Sequence, residues 1–184
     1  RAHGKSEGKY ICYGVLERYD ALGWCEKIIA EKGRDEIIFI SGVSMGASTS
    51  LMASGLSLPE NVRGIIADCG FTSPSEIIKK VMREDMGFPL FPIFYTTRLL
   101  VKLVAKFDLN YSSLDALKTN TLPVLFIHGT ADNFVPFYMS EQNFEGCKTE
   151  KYSVWVEGAG HGTSFLFETE RCVKALEEFT NKYI

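Results

Sequence analysis

Short apolar runs alternate with longer amphipathic stretches along this chain. Strand candidates lie at Ile37–Ile40, Val62–Ala67, Val124–Ile127 and Tyr152–Val156, and the first and third of these are continuously apolar. Continuous apolar runs of this length are typical of strands that are buried on both faces of a parallel sheet. Apolar residues at helical spacing predict helices at Tyr13–Glu31, Val135–Phe144 and Ser164–Tyr183. Strands alternating with helices predict an α/β domain, with a predominantly parallel sheet and flanking helices.

One segment, residues 71–118, breaks this alternation. It contains no convincing strand, only helical pieces at Pro74–Arg83 and Phe94–Phe107, joined by the proline- and aromatic-rich Phe88–Pro92. We interpret it as a helical cap or lid inserted over the carboxyl edge of the sheet. Residues 1–184 are then a single catalytic domain that carries this insertion. We expect its aromatic residues between Phe88 and Phe107 to limit the size of a bound group.

Composition narrows the function classes. The chain has 184 residues, of which 46% are hydrophobic and 23% charged, with a net charge of −3 and no lysine- or arginine-rich run. This balance argues against a nucleic-acid partner, and the lack of an apolar stretch of about 20 residues argues against membrane insertion. The five cysteines are odd in number and form no CxxC pair, which favours a reducing cytoplasm over a disulfide framework. The three histidines are scattered, so we expect no metal and no cofactor.

The strongest chemical signal is Gly42-Val43-Ser44-Met45-Gly46, which matches G-x-S-x-G. An apolar strand precedes it and a small-residue helix follows it. Such a strand-to-helix turn pushes the serine out above the sheet, and glycines remove Cβ atoms that would clash. The N-terminus of the following helix offers free N–H groups to a developing oxyanion. These features predict that Ser44 is a nucleophile.

A nucleophilic serine needs a base and a group that orients the base. Asp132 follows one predicted strand, in His128–Pro136, and His161 follows the next, in Gly158–His161. Both therefore emerge at carboxyl ends of parallel strands, where open α/β sheets place their ligands. We predict Asp132 as the acid and His161 as the base. Asp68 lies at the end of another predicted strand and could be a reserve acid or bind a polar group of a ligand. The favoured interpretation is that it caps the turn between this strand and the insertion.

Five segments carry a family resemblance: Arg1–Gly8, Gly42–Gly46, Asp68–Pro74, His128–Pro136 and Gly158–His161. Through them the chain resembles α/β-hydrolases of the serine-aminopeptidase-like and bile-acid-thioesterase-like branch, which includes many small bacterial carboxylesterases. The resemblance implies a serine hydrolase with the triad Ser44, Asp132 and His161 and with the Met45 N–H in the oxyanion hole. The loop that supplies the second oxyanion donor in the family has no counterpart here.

The resemblance also implies that strands and helices of the family domain are absent ahead of Arg1. An N-terminally truncated α/β-hydrolase fold would leave Glu36–Ser41 at an open sheet edge. We therefore expect a homodimer, or pairing with a missing N-terminal segment.

The leading hypothesis for function is hydrolysis of small or short-chain carboxylic esters through an acyl-serine intermediate. Thioesters and amides remain open as substrates. A second hypothesis is a catalytically impaired, truncated hydrolase that acts as an interaction module. A third is an acyltransferase or thioesterase that uses the same triad. His128 is interpreted as a residue that organises the end of its strand.

Overall fold

A computed structural model describes all residues from Arg1 to Ile184. Four parallel strands form one sheet in the order in which they occur along the chain. They are β1 (Ile38–Val43), β2 (Val62–Asp68), β3 (Val124–Gly129) and β4 (Lys151–Val156). The predicted α/β class with a parallel sheet is confirmed. Strand β1 lies at one edge of the sheet and β4 at the other.

Helices cover both faces of the sheet. They are α1 (Glu17–Lys32), α2 (Met45–Ala53), α3 (Pro74–Lys80), α4 (Ile93–Leu100), α5 (Ser113–Leu117), α6 (Phe137–Gly146), α7 (Ser164–Phe167) and α8 (Thr169–Lys182). Alternate residues of the inner strands face opposite ways, as the pleat of a strand requires. Ile65 and Phe126 pack in the cluster under α2 and α5, whereas Ile66 and Ile127 pack in the cluster under α8. None of these helices has the length and apolar character needed to cross a bilayer.

Helix α1 begins four residues later than the spacing predicts. Tyr13 and Gly14 have φ angles of 53° and 92°, in the left-handed region that ends a right-handed helix. The Glu17 carboxylate accepts hydrogen bonds from the Cys12 and Gly14 N–H groups, at 2.7 and 3.0 Å. Glu17 therefore fixes the loop and starts the helix at its own position, a contact that apolar spacing cannot show.

The last predicted helix is divided. Glu168, with φ −130° and ψ 62°, separates α7 from α8, so the single helix expected over Ser164–Tyr183 is wrong at this residue. Between β2 and β3 the chain forms α3, α4 and α5 and no strand, as the sequence predicts. Helix α3 continues into a π-helical turn at Val81–Asp85, and α4 continues into another at Val101–Ala105. Helix α3 and its extension lie beside Ser44, where β1 ends.

Candidate active site

Ser44 occupies a strained turn between β1 and α2. Its backbone has φ 56° and ψ −117°, a combination that a residue with a Cβ rarely adopts and that costs about 1–3 kcal/mol. A Cβ at Gly42 would lie 2.2 Å from the carbonyl carbon of Gly46, so only glycine fits at position 42. A Cβ at Gly46 would meet nothing within 4 Å. Of the two motif glycines, Gly42 is therefore the one whose own Cβ would clash.

The Ser44 hydroxyl points away from the helix that it precedes. It makes no capping bond to α2, and its Oγ lies 2.9 Å from Nε2 of His161. Met45 is the first residue of α2, where N–H groups have no partner within the helix. The turn therefore presents the hydroxyl and a helix N-terminus together.

Asp132 and His161 meet because the loops that follow β3 and β4 pack closely. The Ala131 N–H donates to the Ala159 carbonyl at 3.0 Å, and the Thr130 N–H donates to the Val156 carbonyl at 2.9 Å. With the loops held in this way, Nδ1 of His161 lies 2.7 Å from Oδ2 of Asp132. The structure thus brings Ser44, His161 and Asp132 into one hydrogen-bonded series, although 117 residues separate Ser44 from His161.

The surroundings keep Asp132 ionised. Its side chain is fully buried, whereas that of His161 is 29% exposed. Burial alone raises the pKa of Asp132, but hydrogen bonds from His128, His161 and the Val135 N–H outweigh it and hold the pKa below its usual value. A buried carboxylate that stays charged can stabilise a positive imidazolium beside it. This is the electrostatic arrangement that a serine nucleophile with a histidine base requires.

Comparisons with known proteins agree with this architecture. No family model matches the chain. Protein YqkD of Bacillus subtilis, which has no assigned function, is 28% identical over 180 residues, covering 97% of this chain and 59% of YqkD. The human α/β-hydrolase domain-containing protein 17B is 39% identical over 57 residues, which is 31% of this chain and 20% of that protein. This chain therefore spans less than two thirds of the length of either relative.

Solved structures are similar over the whole chain. The Pyrococcus furiosus esterase Pf2001 superposes on 100% of it with a TM-score of 0.71 and 24% identity, and 68% of the esterase is covered. The chain has the α/β-hydrolase fold. Within that fold Ser44, Asp132 and His161 stand at the ends of β1, β3 and β4, as the sequence predicts. Their assignment as nucleophile, acid and base stays a prediction.

Sequence reasoning assigned His128 to the end of its strand and missed its contact with Asp132. His128, on β3, is completely buried, and its Nε2 lies 3.1 Å from Oδ2 of Asp132. The spacing of four residues between His128 and Asp132 was a signal of this contact. A turn that follows a strand can bring a residue back to the end of that strand. The sequence alone offered no reason to prefer this contact over a purely structural role.

Asp68 and Cys69 lie at the end of β2, close to Asp132 and His161. Burial raises the pKa of Asp68 to about 6, and its Oδ1 has no hydrogen-bond partner. Cys69 is fully buried, and burial raises the pKa of its thiol to about 12. The ligand atoms of Cys69, Asp132 and His161 lie within 4.8 Å of one another, a spacing that suits a metal ion. A thiol with so high a pKa is a poor source of the thiolate that a metal would bind.

An apolar cavity of about 380 Å³ opens beside Ser44. Nine of its ten lining residues are hydrophobic, and half of them come from the segment between Ile77 and Met86. The aromatic residues between Phe88 and Phe107, which the sequence suggests as a limit on the size of a bound group, do not line this cavity, and Phe88, Phe91 and Tyr95 are exposed. A larger depression of about 870 Å³ lies at the amino ends of β2 and β3, at the opposite end of the strands from Ser44.

Proposed function

We propose that this chain hydrolyses carboxylic esters that carry a small apolar acyl group, through an acyl-Ser44 intermediate. One observation carries the proposal. Ser44 Oγ lies 2.9 Å from His161 Nε2, on a ring whose Nδ1 lies 2.7 Å from the ionised Asp132, and this series opens into an apolar cavity. A hydroxyl, a base and a buried acid in this order are the components of nucleophilic acyl transfer.

Each residue has a defined step in this mechanism. His161 removes the Ser44 proton as Oγ attacks the ester carbonyl, and Asp132 orients the imidazole and stabilises its positive form. The Met45 N–H, at the start of α2, stabilises the negative oxygen of the tetrahedral intermediate. His161 then gives the proton to the leaving alcohol. Water, deprotonated by His161, attacks the acyl-serine, and the acid leaves as Ser44 recovers its proton.

The cavity indicates the acyl group. Its volume of about 380 Å³ is near the lower limit of ligand pockets, which range from about 300 to 1,000 Å³. Ile77, Ile78, Val81, Met82 and Met86 present apolar side chains to it. A charged acyl group would lose its hydration there without gaining a partner. We therefore propose that residues 71–118 act as a cap and that α3 and its π-helical extension select short, uncharged acyl chains.

A panel of p-nitrophenyl esters from C2 to C12 tests this function. We expect the highest kcat/KM at C2–C4, and loss of all turnover in Ser44→Ala. Ser57→Ala, at the opposite end of the strands, is the matched control and should keep wild-type rates. Met82→Ala should enlarge the cavity and move the optimum to longer chains. Equal rates in Ser44→Ala and wild type would refute the nucleophile, and a C10–C12 optimum in wild type would refute the short pocket.

A fluorophosphonate probe provides an independent test, because only an activated serine reacts with it. Labelling should occur in wild type and disappear in both Ser44→Ala and His161→Ala. Labelling that persists in Ser44→Ala would place the reactive serine elsewhere.

We also propose a reducing compartment, such as the cytoplasm, as the place of action. The five cysteines are all unpaired and buried in the fold. Secreted proteins of this size more often form disulfides. Fractionation of cells that express the protein would test this, and recovery only outside the cytoplasm would contradict it.

A further inference from the structure

The Asp132 carboxylate accepts four hydrogen bonds. Oδ1 accepts from the Phe134 and Val135 N–H groups, both at 2.9 Å. Oδ2 is 2.7 Å from Nδ1 of His161 and 3.1 Å from Nε2 of His128. The proposed mechanism uses His161 and leaves His128 without a role, although both histidines share one oxygen atom.

The partners of His128 determine where its proton lies. Its Nε2 is 3.0 Å from the Val135 carbonyl oxygen, which can only accept a hydrogen bond. Nε2 therefore carries hydrogen, shared between the Val135 carbonyl and Asp132 Oδ2. In the neutral ring Nδ1 is then an acceptor, and the Ser140 hydroxyl, 2.5 Å away, donates to it.

These contacts form a second serine–histidine pair on the far side of Asp132. Ser44 and His161 lie on the accessible side, whereas Ser140 and His128 are 2% and 0% exposed. We propose that His128 is a positioning residue that donates through Nε2 to Asp132 and holds this carboxylate in place beneath His161. This inference rests on the proposed ester hydrolysis and adds His128 as the residue that positions the Asp132 carboxylate.

The physical effect follows from burial. A carboxylate without water needs donors in place of its hydration shell, and His128 supplies one that does not compete with the backbone N–H groups at Oδ1. A donor on Oδ2 also spreads the negative charge, so the carboxylate attracts the His161 proton less strongly. Loss of this donor should therefore move the acidic limb of the activity profile to higher pH.

Other titratable groups face the same site. Asp68 and Cys69 approach from the end of β2, and Lys80 of α3 donates to the Asn133 carbonyl and pairs with Asp85. Of these, Asp68 titrates nearest to the working range, with a pKa of about 6. The test must therefore be run both in wild type and in an Asp68→Asn background, so that a change in Asp68 is not mistaken for one in His161.

The test compares two replacements of His128 across the pH profile of kcat/KM for p-nitrophenyl acetate. In His128→Gln the side-chain amide reaches the position of Nε2 and keeps a donor for Asp132. In His128→Leu no donor remains. We expect the acidic limb of the Leu variant to move up by about one pH unit, with kcat/KM at pH 6 about 10-fold lower. The Gln variant should keep the wild-type limb.

A matched control separates positioning from general damage. Asn143, which is buried on α6, accepts a hydrogen bond from Ser113 at 2.6 Å and makes no hydrogen bond to Asp132. Asn143→Leu should lower the melting temperature and leave the acidic limb of the pH profile unchanged. If His128→Leu does not fold, His128→Asn replaces it, because the shorter amide reaches towards Ser140 but falls short of Asp132.

Failure of this inference is distinguishable from failure of the proposed function. If wild type hydrolyses the ester and the donor-free variants keep its acidic limb, His128 is structural only and the inference is overturned. If wild type neither hydrolyses esters nor reacts with a fluorophosphonate, the proposed function fails. Proton NMR then still tests the contact, because the low-field His161 Nδ1 proton should shift in His128→Leu and not in His128→Gln. An unchanged resonance in both would overturn the inference.

Discussion

Gly129 lies so close to Ala159 that a Cβ at position 129 would come within 2.2 Å of the Ala159 carbonyl oxygen. This contact holds the loop that carries Asp132 against the loop that carries His161. Gly129→Ala should push the two loops apart and lower kcat/KM by about 10²-fold or more, since small misplacements of reacting groups have effects of this size. The control is Gly23→Ala on α1, where a Cβ meets nothing within 4 Å and stability should rise by about 0.5–1 kcal/mol. Wild-type activity in Gly129→Ala would contradict this role.

The strain at Ser44 predicts a trade between stability and activity. Ser44→Gly removes the Cβ that makes φ 56° unfavourable, so the variant should be inactive but more stable than wild type by about 1 kcal/mol. Ser44→Ala keeps the Cβ and should be inactive without this gain. Thermal denaturation checks the pair, with an expected rise of about 2–4 °C for the glycine variant alone. Equal midpoints for both variants would show that the turn is not strained.

The choice between the two buried aspartates is directly testable. Asp132→Asn should reduce kcat by up to about 10⁴, because an amide favours the wrong tautomer of His161. Asp68→Asn should reduce it by less than about tenfold, since no hydrogen bond joins Asp68 to either histidine. Steady-state kinetics on both variants decides the matter, and the reverse ranking would make Asp68 the acid.

Asp68 also predicts how stability depends on pH. Burial raises its pKa to about 6, above the value of about 3.9 for an unfolded aspartate. The folded state therefore favours the protonated acid, so this contribution is fully present below about pH 4 and is lost as the pH rises through 6. Asp68→Asn does not titrate, so its free energy of unfolding relative to wild type should increase between pH 4 and 6. The gain should reach at most about 3 kcal/mol and stay level above pH 7. Urea denaturation over this range measures it, and a constant difference would contradict the pKa.

Strand β1 has an open edge, and we propose that association covers it. Its outer backbone groups have no partner strand, and Ile37 and Val43 beside them are exposed. We expect a two-fold homodimer that pairs this edge, or pairing of the edge with a separate N-terminal segment. Ile37→Lys should shift light scattering towards the monomer, whereas Ile184→Lys, which also replaces an exposed isoleucine, should not. A wild-type monomer that unfolds cooperatively would refute the proposal.

The sequence predicted the four strands and the sites of Ser44, Asp132 and His161 because local signals fix each of them. An apolar run bounded by glycine identifies a buried strand, and the residue that follows it lies at the carboxyl edge. The start of α1 and the break at Glu168 could not be read in this way. They depend on backbone angles and on the Glu17 contacts, which apolar spacing does not report.

The role expected of the aromatic residues fails at this cavity for a different reason. Aromatic residues between Phe88 and Phe107 are conspicuous in the sequence, but which face of a helix meets the site depends on tertiary packing. Phe94 is buried while its neighbour Tyr95 is exposed, and the smaller Ile77 and Met82 line the cavity instead. His128 was undervalued because its partners, Asp132 and Ser140, come from the two sides of a turn whose geometry the sequence does not state.

The simple order of the strands has a consequence for how the protein is made. Because each strand pairs with the one before it in the chain, a nascent polypeptide that folds from its N-terminus can extend the sheet one strand at a time. The turn at Ser44 is secured once β2 arrives, since its N–H donates to the Asp68 carbonyl. His161 follows only after β4, 117 residues later than Ser44. On the ribosome, therefore, the Ser44 hydroxyl acquires its histidine partner only when nearly all of this segment has emerged.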